Sequence, residues 1–461
     1  MQPTAPLSAS RVNDDLLRFV LNRRSPRWFW VTLGACLIVL VGGLAATTGL
    51  VLDGLQLLGL NDNVYWAIFI ANFIFGVGMS HAGVMISAIL RLTQAEWRRP
   101  ITRSAEMLAV FSLITAAIFP IIHTGRMWRT AYWVFPYDFS RNVWPDVRSA
   151  LIWDPSAIVT YLLGTLLFVY VDVIPDAAVA RDRASGVRKR VYAVLALGFR
   201  GTSRQWRLQE AAGQLVSALI LAVFVSVHSI VAWDLSMAIQ PAWHSTALAP
   251  YFVVGAVYSG VAGVLTAMIA LRRALGLQRY ITDQHFDALG RLLLAVAPAY
   301  FFFFLTDFYF GIFSRDPNEL QIWSLRLFES PTNILFGIQV LTLLTPVPFW
   351  CFKRCRVNVA IMFWTSVSVN IGMWLERYLL VVTPLQLKQP FTFLWIPTYV
   401  PSVVEGIVTL ASFALVVLGV IVFARMLPIV PLWDEKEGQV LSTKVRVGQL
   451  EIPAAARISD A

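Results

Sequence analysis

Ten long apolar runs constrain this chain more than any other feature of its sequence. A helix needs about 20 residues to cross the roughly 30 Å hydrocarbon core of a bilayer, and each run is about that long. Backbone polar groups cannot stay unpaired in lipid, so we expect the runs to be helices, which we number span 1 to span 10. They lie at about 28 to 51, 64 to 90, 105 to 123, 156 to 175, 213 to 234, 251 to 271, 290 to 313, 332 to 351, 359 to 381 and 402 to 424.

The composition is that of a chain surrounded by lipid. Of its 461 residues, 57% are apolar and only 14% are charged, which leaves too little polar surface for a soluble globule of this length. The first run follows a polar leader and lacks a small-residue cleavage site, so we expect it to remain as an anchor and not to be removed as a signal peptide. We therefore predict an all-α integral membrane protein with ten transmembrane helices.

The positive charges are distributed unevenly along the chain. Lys and Arg number 37 against 27 Asp and Glu, a net charge of +10. The termini, the loops after spans 2, 4, 6 and 8 and the adjoining start of span 7 hold 29 of the 37, the alternate loops hold 7, and span 9 holds one. The positive-inside rule then predicts that residues 1 to 27 and 425 to 461 are cytoplasmic tails. Because topology accounts for the charge, the expected partner is the lipid bilayer and not a nucleic acid.

Cysteine and histidine are too few for most redox centres. The three cysteines, Cys36, Cys351 and Cys355, exclude a disulfide framework and a four-thiolate cluster built from this chain alone. A haem with two histidine ligands needs both at one depth on facing helices. We place His81 toward the inner side and His228 toward the outer side, so we predict neither a haem nor a metal site.

An internal repeat divides the spans into two groups. The tract AGVMISAI at Ala82 in span 2 is matched by AGVLTAMI at Ala262 in span 6, and LIWDPSAIV before span 4 is matched by LFESPTNIL before span 8. The repeat predicts one four-helix bundle at 64 to 234 and another at 251 to 381, with 28 to 51 and 402 to 424 as flanking helices. Asp154 aligns with Ser330, so only the first bundle has a carboxylate there, which points to a site in that bundle.

Two polar residues lie at the predicted outer surface of the first bundle. His123 ends span 3, where Pro120 can break the helix and Gly125 lets the chain turn. Asp154 precedes Pro155 and suits the N-cap of span 4. His123 and Asp154 are candidates for a proton-accepting pair, although a boundary histidine and a simple helix cap explain them equally.

Other ionisable residues lie within the spans. The free-energy cost of placing a charge in the membrane makes them candidates for function. Arg377 is near the outer end of span 9, where it can pair with Glu376, Glu405 or a ligand oxygen, or extend to the interface. Asp307 lies in the aromatic run of span 7 and belongs to a proton path or to a helix contact. The candidates for a proton path are His81, Glu106, Asp172, His228, Asp234 and Asp307.

The segment from His123 to Pro155 is longer than a helix connection needs. It contains Trp128, Trp133, Trp144 and Trp153, together with four Arg and three Asp. An interfacial aromatic belt and a docking surface for an outer partner are both consistent with this composition.

Several tracts resemble the NrfD/PsrC-like membrane subunits, with the closest likeness to the ActC and ActF subunits of bacterial alternative complex III. They are NFIFGVGMSHAGVMISAILRL, AVFSLITAAIFPIIHTGRMWRTAYW, RSALIWDPSAI, SVHSIVAWDLS, PAWHSTALAPYFVVGAVYSG and NIGMWLERYLLVVTPL. The likeness runs from about residue 20 to 430. Met127 departs from it, because many relatives have Pro there, and this loosens the loop beside His123.

The resemblance implies a ten-helix quinone-site subunit in the bacterial cell (inner) membrane, without cofactors of its own. It further implies as partners an extracytoplasmic iron–sulfur subunit and other membrane subunits, including a paralogous ten-helix subunit. In ActC-type relatives the residues matching His123 and Asp154 are associated with menaquinol oxidation. Arg126, Trp153, Glu376 and Arg377 are then candidates for binding the quinone.

Three functions follow from these observations. The first is menaquinol oxidation at the outer face, with electrons passing to the iron–sulfur partner, with or without coupling to proton translocation, and no metal site in this chain. The second is a non-redox proton-conducting or scaffolding role of the ActF type. The third is a quinone-linked subunit of a polysulfide- or nitrite-type reductase. Binding of a quinone analogue near His123 distinguishes the first from the second.

Overall fold

The computed structural model describes residues 8–22, 24–125, 127, 142, 150–238, 240–387, 398–441, 444–447 and 450–453. Ten helices in these ranges are long and apolar enough to cross a membrane, so the predicted all-α, ten-span fold is confirmed. In chain order they are Arg27–Asp53, Ile68–Leu92, Thr102–His123, Ala150–Arg183, Ser203–Ser236, Leu248–Leu275, Asp283–Phe313, Thr332–Cys351, Val359–Leu385 and Val403–Met426.

The spans pack as two rings of four joined at the centre. Spans 2 to 5 contact one another in a ring, and so do spans 6 to 9, whereas spans 1 and 10 pair with each other beside span 3. Span 8 is divided at Thr345 into the helices Thr332–Leu344 and Pro346–Cys351. We call the first ring bundle one and the second bundle two.

The two spans that carry the repeated tract pack against each other at the centre of the molecule. A Cβ at Gly78 would lie 3.7 Å from Ala256, and a Cβ at Gly263 would lie only 2.2 Å from the methyl carbon of Met79. Without a side chain at these positions, the helix backbones approach closely and gain dispersion contacts that lipid does not provide. Spans 2 and 6 therefore form the axis that joins bundle one to bundle two.

Glu405 fixes the outer end of span 10. Its Oε2 accepts hydrogen bonds from the backbone N–H groups of Gly59 (2.9 Å) and Ser402 (2.7 Å), and its Oε1 accepts one from the Tyr399 hydroxyl (2.6 Å). The carboxylate thus caps its own helix and ties it to the loop after span 1. The suggested pairing of Glu405 with Arg377 is wrong, because Glu405 is already occupied.

Shorter elements lie outside the spans, where the sequence predicted only tails and loops. The helices Ala9–Leu21 and Leu432–Leu441 contact each other, so the first and the last of the described helices lie at one end of the bundle, which we call the inner end. The other short elements are the helices Gly186–Leu195, Pro317–Phe328 and Lys353–Arg356, the 3-10 turns Leu55–Leu57 and Glu96–Arg98, and a hairpin of antiparallel strands Lys444–Val447 and Leu450–Pro453.

Two expectations about prolines are wrong. The helix of span 3 continues through Pro120 to His123, because a membrane helix tolerates the loss of a single backbone donor. The helix of span 4 begins at Ala150, so Asp154 lies inside its second turn and is not the N-cap. Pro155 is then also inside the helix, beyond its first turn, and like Pro120 it removes one backbone donor from the helix.

Candidate functional site

Two carboxyl groups meet near the outer end of bundle one. Asp154 of span 4 and Asp234 of span 5 lie within hydrogen-bonding reach of each other. Apart from this contact, Oδ1 of Asp154 and both carboxyl oxygens of Asp234 are buried without a hydrogen-bond partner among the described residues. Carboxylate oxygens only accept hydrogen bonds, so a hydrogen bond between the two groups requires a proton on one of them. The pair is therefore suited to taking up or releasing a proton.

His123 is the last residue of the helix of span 3 and is half-buried. Its Nδ1 is buried and has no hydrogen-bond partner in the part of the chain that the structure describes. Gly125 turns the chain directly afterwards with a φ of +65°, and a Cβ there would lie 2.9 Å from the Leu55 side chain. Glycine is thus required both by the backbone conformation and by the contact with the loop after span 1.

His123 and Asp154 do not contact each other by any hydrogen bond or ion pair within the described ranges; the neighbour of Asp154 is Asp234. His123 and Asp154 both lie at the outer end of bundle one, but the sequence did not predict that Asp154 pairs with Asp234. Arg126 lies outside the described residues, as does most of the Trp-rich loop that precedes span 4. Trp153 is half-buried in the helix of span 4.

A cluster of rings occupies the centre of bundle one. The imidazoles of His81 and His228 lie edge to face with centroids 4.7 Å apart, and His81 also stacks on Tyr161 at 4.5 Å. Both histidines are fully buried. Their predicted separation in depth is wrong: the helix of span 2 runs from Ile68 to Leu92, so His81 lies near its midpoint and not toward its inner end, and its ring is level with that of His228.

The same cluster contains several polar atoms without partners. The Nε2 of His81, both ring nitrogens of His228 and the hydroxyl of Tyr161 have no hydrogen-bond partner among the described residues. Buried groups of this kind are normally satisfied by ordered water. The two rings touch directly and leave no room for a macrocycle between them, so they are not placed as the two axial ligands of a haem.

Glu376 and Arg377 form an ion pair inside the protein and not at its surface. Arg377 Nε lies 3.2 Å from Glu376 Oε2, and both side chains are buried. The guanidinium of Arg377 lies 4.2 Å from the ring centroid of Phe252, whose ring lies 5.7 Å from that of His228. Gly255 makes room for Arg377, since a Cβ there would lie 2.6 Å from Nη2. Arg377 therefore borders the central cluster, at a distance from the outer carboxyl pair.

Asp307 faces a small cavity in bundle two. The cavity has a volume of about 20 Å³ and is also lined by Arg326, Glu376, Gln339 and Tyr251. Arg326, from the outer helix Pro317–Phe328, is buried and stacks 4.8 Å from the Trp323 ring centroid. A polar cavity of this size can hold one water molecule. Asp307 and Glu376 were predicted separately; the structure brings them together.

The inner end of bundle one contains an ion network. Glu106 accepts a hydrogen bond from Ser87 (2.7 Å) and lies 3.4 Å from Arg103, which is fully buried. Arg103 also lies 3.2 Å from Asp176 and donates to the backbone oxygen of Asp172 at 3.0 Å. Asp172 in turn pairs with Arg91 of span 2. The predicted residues Glu106 and Asp172 thus belong to one network.

Arg91, Arg103, Asp176 and Arg326 were not foreseen from the sequence as members of these sites. A usable signal was present for two of them, because Arg103 precedes Glu106 by three residues and Asp176 follows Asp172 by four, spacings that place side chains on one helix face. Arg326 had no such signal, since it lies in a segment that was treated as a loop.

Along bundle one, ionisable groups occur at three levels. The outer level is Asp154 with Asp234, the central level is His228 with His81, and the inner level is the network around Glu106. Six residues separate Asp234 from His228, and six separate His81 from Ser87, which is about 9 Å of helix in each case. Protons can move between such levels only through intervening water or hydroxyl groups.

Comparison with known proteins gives one family and two distant relatives. The family model described as Polysulphide reductase, NrfD, matches residues 56–387. The chain is 24% identical to a protein of Halobacterium salinarum that is provisionally named as a membrane subunit of dimethyl sulfoxide reductase, over 77% of each chain. It is 21% identical to a selenate reductase subunit of Mesobacillus selenatarsenatis, over 72% of this chain and 76% of the relative.

Proposed function

This chain belongs to the polysulphide reductase, NrfD, family, and from that membership we propose that it is the quinone-interacting membrane subunit of a respiratory reductase complex. The names of the two relatives, both subunits of reductases and one of them a membrane subunit, support this role. The observation that carries the proposal is the Asp154–Asp234 pair near the outer end of bundle one, of which three carboxyl oxygens are buried without a hydrogen-bond partner among the described residues. Ionisable residues within membrane spans are costly and mark functional sites by default, which supports an exchange of protons between this pair and a substrate.

The proposed reaction is the oxidation of menaquinol. A quinol head group enters from the lipid and donates hydrogen bonds from its two hydroxyls to the carboxyl pair and to Nδ1 of His123. Two protons pass to these groups as the two C–O bonds become carbonyls, and two electrons leave for an iron–sulfur subunit on the outer side. His123 and Asp154 are the proposed catalytic residues, and Asp234 holds the shared proton beside Asp154.

The other predicted quinone contacts divide into two classes. Arg126 follows His123 by three residues and Trp153 directly precedes Asp154, and both keep their proposed role at the head group. Glu376 and Arg377 are buried against each other and against Phe252, so we assign them a positioning role beside the central cluster.

Both named relatives are subunits of reductases. This favours assembly with a dimethyl sulfoxide-, selenate- or polysulfide-type reductase over assembly into alternative complex III. The ActC-like arrangement with a paralogous ten-helix subunit is the second candidate. Both candidate complexes would place the chain in the cell membrane with cytoplasmic termini and would use a quinol donor. Identifying the partner subunits therefore distinguishes the two candidates.

A proton-conducting role is a further candidate, and one observation favours it. The unpartnered nitrogens of His81 and His228 lie midway between the outer pair and the inner network. With ordered water they would link Asp234 to Glu106 and Asp172. This role and quinol oxidation are compatible, because the first moves protons along bundle one and the second releases them outside.

Photolabelling of the purified native complex tests the proposal. An azido-quinone is expected to label the outer ends of spans 3 to 5, with labelling suppressed by excess menaquinol analogue and lost in His123→Leu. Thermal melting of this variant beside the unmodified protein controls for folding. Labelling confined to bundle two, or labelling unchanged in His123→Leu, would contradict a quinone site at this position.

A further inference from the structure

The helix Gly186–Leu195 presents an apolar stripe to the outside of the protein at the inner end of span 4. Val187, Val191 and Val194 are 75%, 42% and 72% exposed. At about 100° per residue they share one side of the helix. Its other side packs on span 4 and reaches span 10, since the buried Tyr192 donates a hydrogen bond to the backbone oxygen of Met426 (2.7 Å). The exposed valines are therefore not covered by this chain in the described structure.

Basic residues lie on the same helix as this stripe and in the segment that follows it. Residues 184 to 209 contain six basic residues and no acidic one. They are Arg188, Lys189, Arg190, Arg200, Arg204 and Arg207, all exposed, and none forms an ion pair within the described part of the chain. On the helix, Arg188 and Arg190 fall on either side of the valines. We call the three valines, Leu197 and these six cations the basic strip.

The basic strip lies at the height of the membrane surface. The Tyr170 hydroxyl of span 4 donates to the backbone oxygen of Leu195 (3.0 Å), and Arg181 donates to that of Phe199 (3.0 Å). Tyr170 is about 27 Å along the helix from Ile152, close to the full thickness of the hydrocarbon core. This length places the helix Gly186–Leu195 and the turn after it level with the lipid head groups, and Leu197 in that turn is 68% exposed.

A cavity of about 360 Å³ opens at one edge of the basic strip. Arg183, Ser185 and Arg188 line it together with Leu21 of the N-terminal helix. Arg188 also donates to the backbone oxygen of Val20 at 3.4 Å, which holds the cavity between two helices. Its polar and apolar lining has room for a phosphate with its glycerol backbone.

We propose that the basic strip binds anionic phospholipids of the adjacent leaflet, with phosphates against the arginines and the valines against the acyl-chain boundary. Charge complementarity selects this occupant, because six unpaired cations attract an anionic surface and repel a basic one. An apolar stripe between cations is the pattern of helices that lie at a lipid interface. The inference concerns the inner end and does not depend on the proposed quinol site.

The test compares two triple variants in the full-length protein. Arg190→Gln/Arg200→Gln/Arg204→Gln removes three charges from the basic strip. Arg273→Gln/Arg279→Gln/Arg354→Gln removes three exposed charges from the same end of the molecule but away from the stripe. Each protein is placed in nanodiscs of phosphatidylcholine alone or mixed in equal parts with phosphatidylglycerol, and bound phosphatidylglycerol is counted by native mass spectrometry.

We expect the unmodified protein and the control to retain phosphatidylglycerol and the first variant to bind it on the order of a hundredfold more weakly. Val191→Asp is expected to weaken binding without changing any arginine. Equal losses in both triple variants would overturn the proposal, because they would indicate a general effect of charge. Retention unchanged in the first variant, or protection of the strip by another subunit in the native complex without bound lipid, would also overturn it.

Discussion

Asp154 and Asp234, from neighbouring spans 80 residues apart in sequence, place their carboxyl groups within hydrogen-bonding reach near the outer end of bundle one. Neither group has a basic residue as an ion-pair partner in the described part of the chain. A hydrogen bond between the two carboxyl groups therefore requires a proton on one of them. This property connects the fold to the proposed chemistry and leads to the first prediction.

Asp154→Asn is expected to reduce quinol-dependent electron transfer by at least about a hundredfold, because the amide cannot accept a proton from the quinol. Asp62→Asn, an exposed carboxylate in the loop after span 1, is the matched control and is expected to leave turnover unchanged. Stopped-flow reduction of the partner's iron–sulfur clusters by menaquinol measures the effect. Turnover near normal in Asp154→Asn would remove this residue from the mechanism.

His228→Phe is expected to leave thermal stability nearly unchanged. Both imidazole nitrogens of His228 lack partners among the described residues, so an apolar ring of similar size removes buried polar atoms without breaking a hydrogen bond. His81→Phe is expected to lower the thermal stability more, since it removes the hydrogen bond between His81 Nδ1 and the backbone oxygen of Val77. Measuring the melting temperatures of the two purified variants tests this difference. A melting temperature of His228→Phe far below that of His81→Phe would show that His228 forms a hydrogen bond that the described residues do not account for.

Arg103→Met is expected to destabilise the protein by about 3 to 5 kcal/mol, because it leaves Glu106 and Asp176 buried without their cation. Arg183→Met, which breaks the exposed pair with Asp14, is expected to cost less than about 1 kcal/mol. Denaturant titration in detergent compares the two. Adding Glu106→Gln to Arg103→Met should recover part of the loss, and failure to recover any would argue against an electrostatic origin.

Gly83→Ala is expected to destabilise the contact between spans 2 and 3 by about 1 to 3 kcal/mol. Its Cβ would lie 2.2 Å from the backbone oxygen of Ala105, so one helix must move. Gly34→Ala in span 1 meets nothing within 4 Å and is expected to be neutral or slightly stabilising. Thermal melting of both variants measures the difference, and equal melting temperatures would contradict the tight helix contact.

The docking of the C-terminal helix is expected to depend on Asp434, whose Oδ2 lies 2.8 Å from Arg98 Nη1. Burial raises the pKa of Asp434, but Arg98, Arg91 and Arg99 outweigh it and hold the pKa below its ordinary value. The carboxylate therefore stabilises the docked helix above the ordinary pKa and stops doing so as pH falls through the lowered one.

The protection of the helix Leu432–Leu441 from hydrogen exchange, relative to the intrinsic exchange rate at each pH, should accordingly stay high from pH 8 to pH 5 and fall only below about pH 4. Asp434→Asn should release the helix at pH 7, whereas Glu437→Gln, a more exposed partner of Arg99, should have a smaller effect. Release between pH 7 and pH 5 in the unmodified protein would assign the docking to another group.

The sequence by itself determined the class of fold. Whether a run of residues crosses the hydrocarbon core depends on its own length and apolar content, and backbone pairing in lipid makes each run a helix without reference to its neighbours. Ten spans could therefore be counted from local information. The ends were less well defined, because helices such as Ser203–Ser236 continue into water beyond the apolar run.

Only the tertiary structure decided which polar residues meet. The sequence identified Asp154, Asp234, His81 and His228 as unusual, but it paired Asp154 with His123 and separated the two histidines by depth. A helix must be rotated and tilted against its neighbours before a side chain faces a particular partner, and those angles are set by packing, such as the close approach of spans 2 and 6 at Gly263. Side-chain pairs between spans are therefore a property of the assembled bundle and not of any single span.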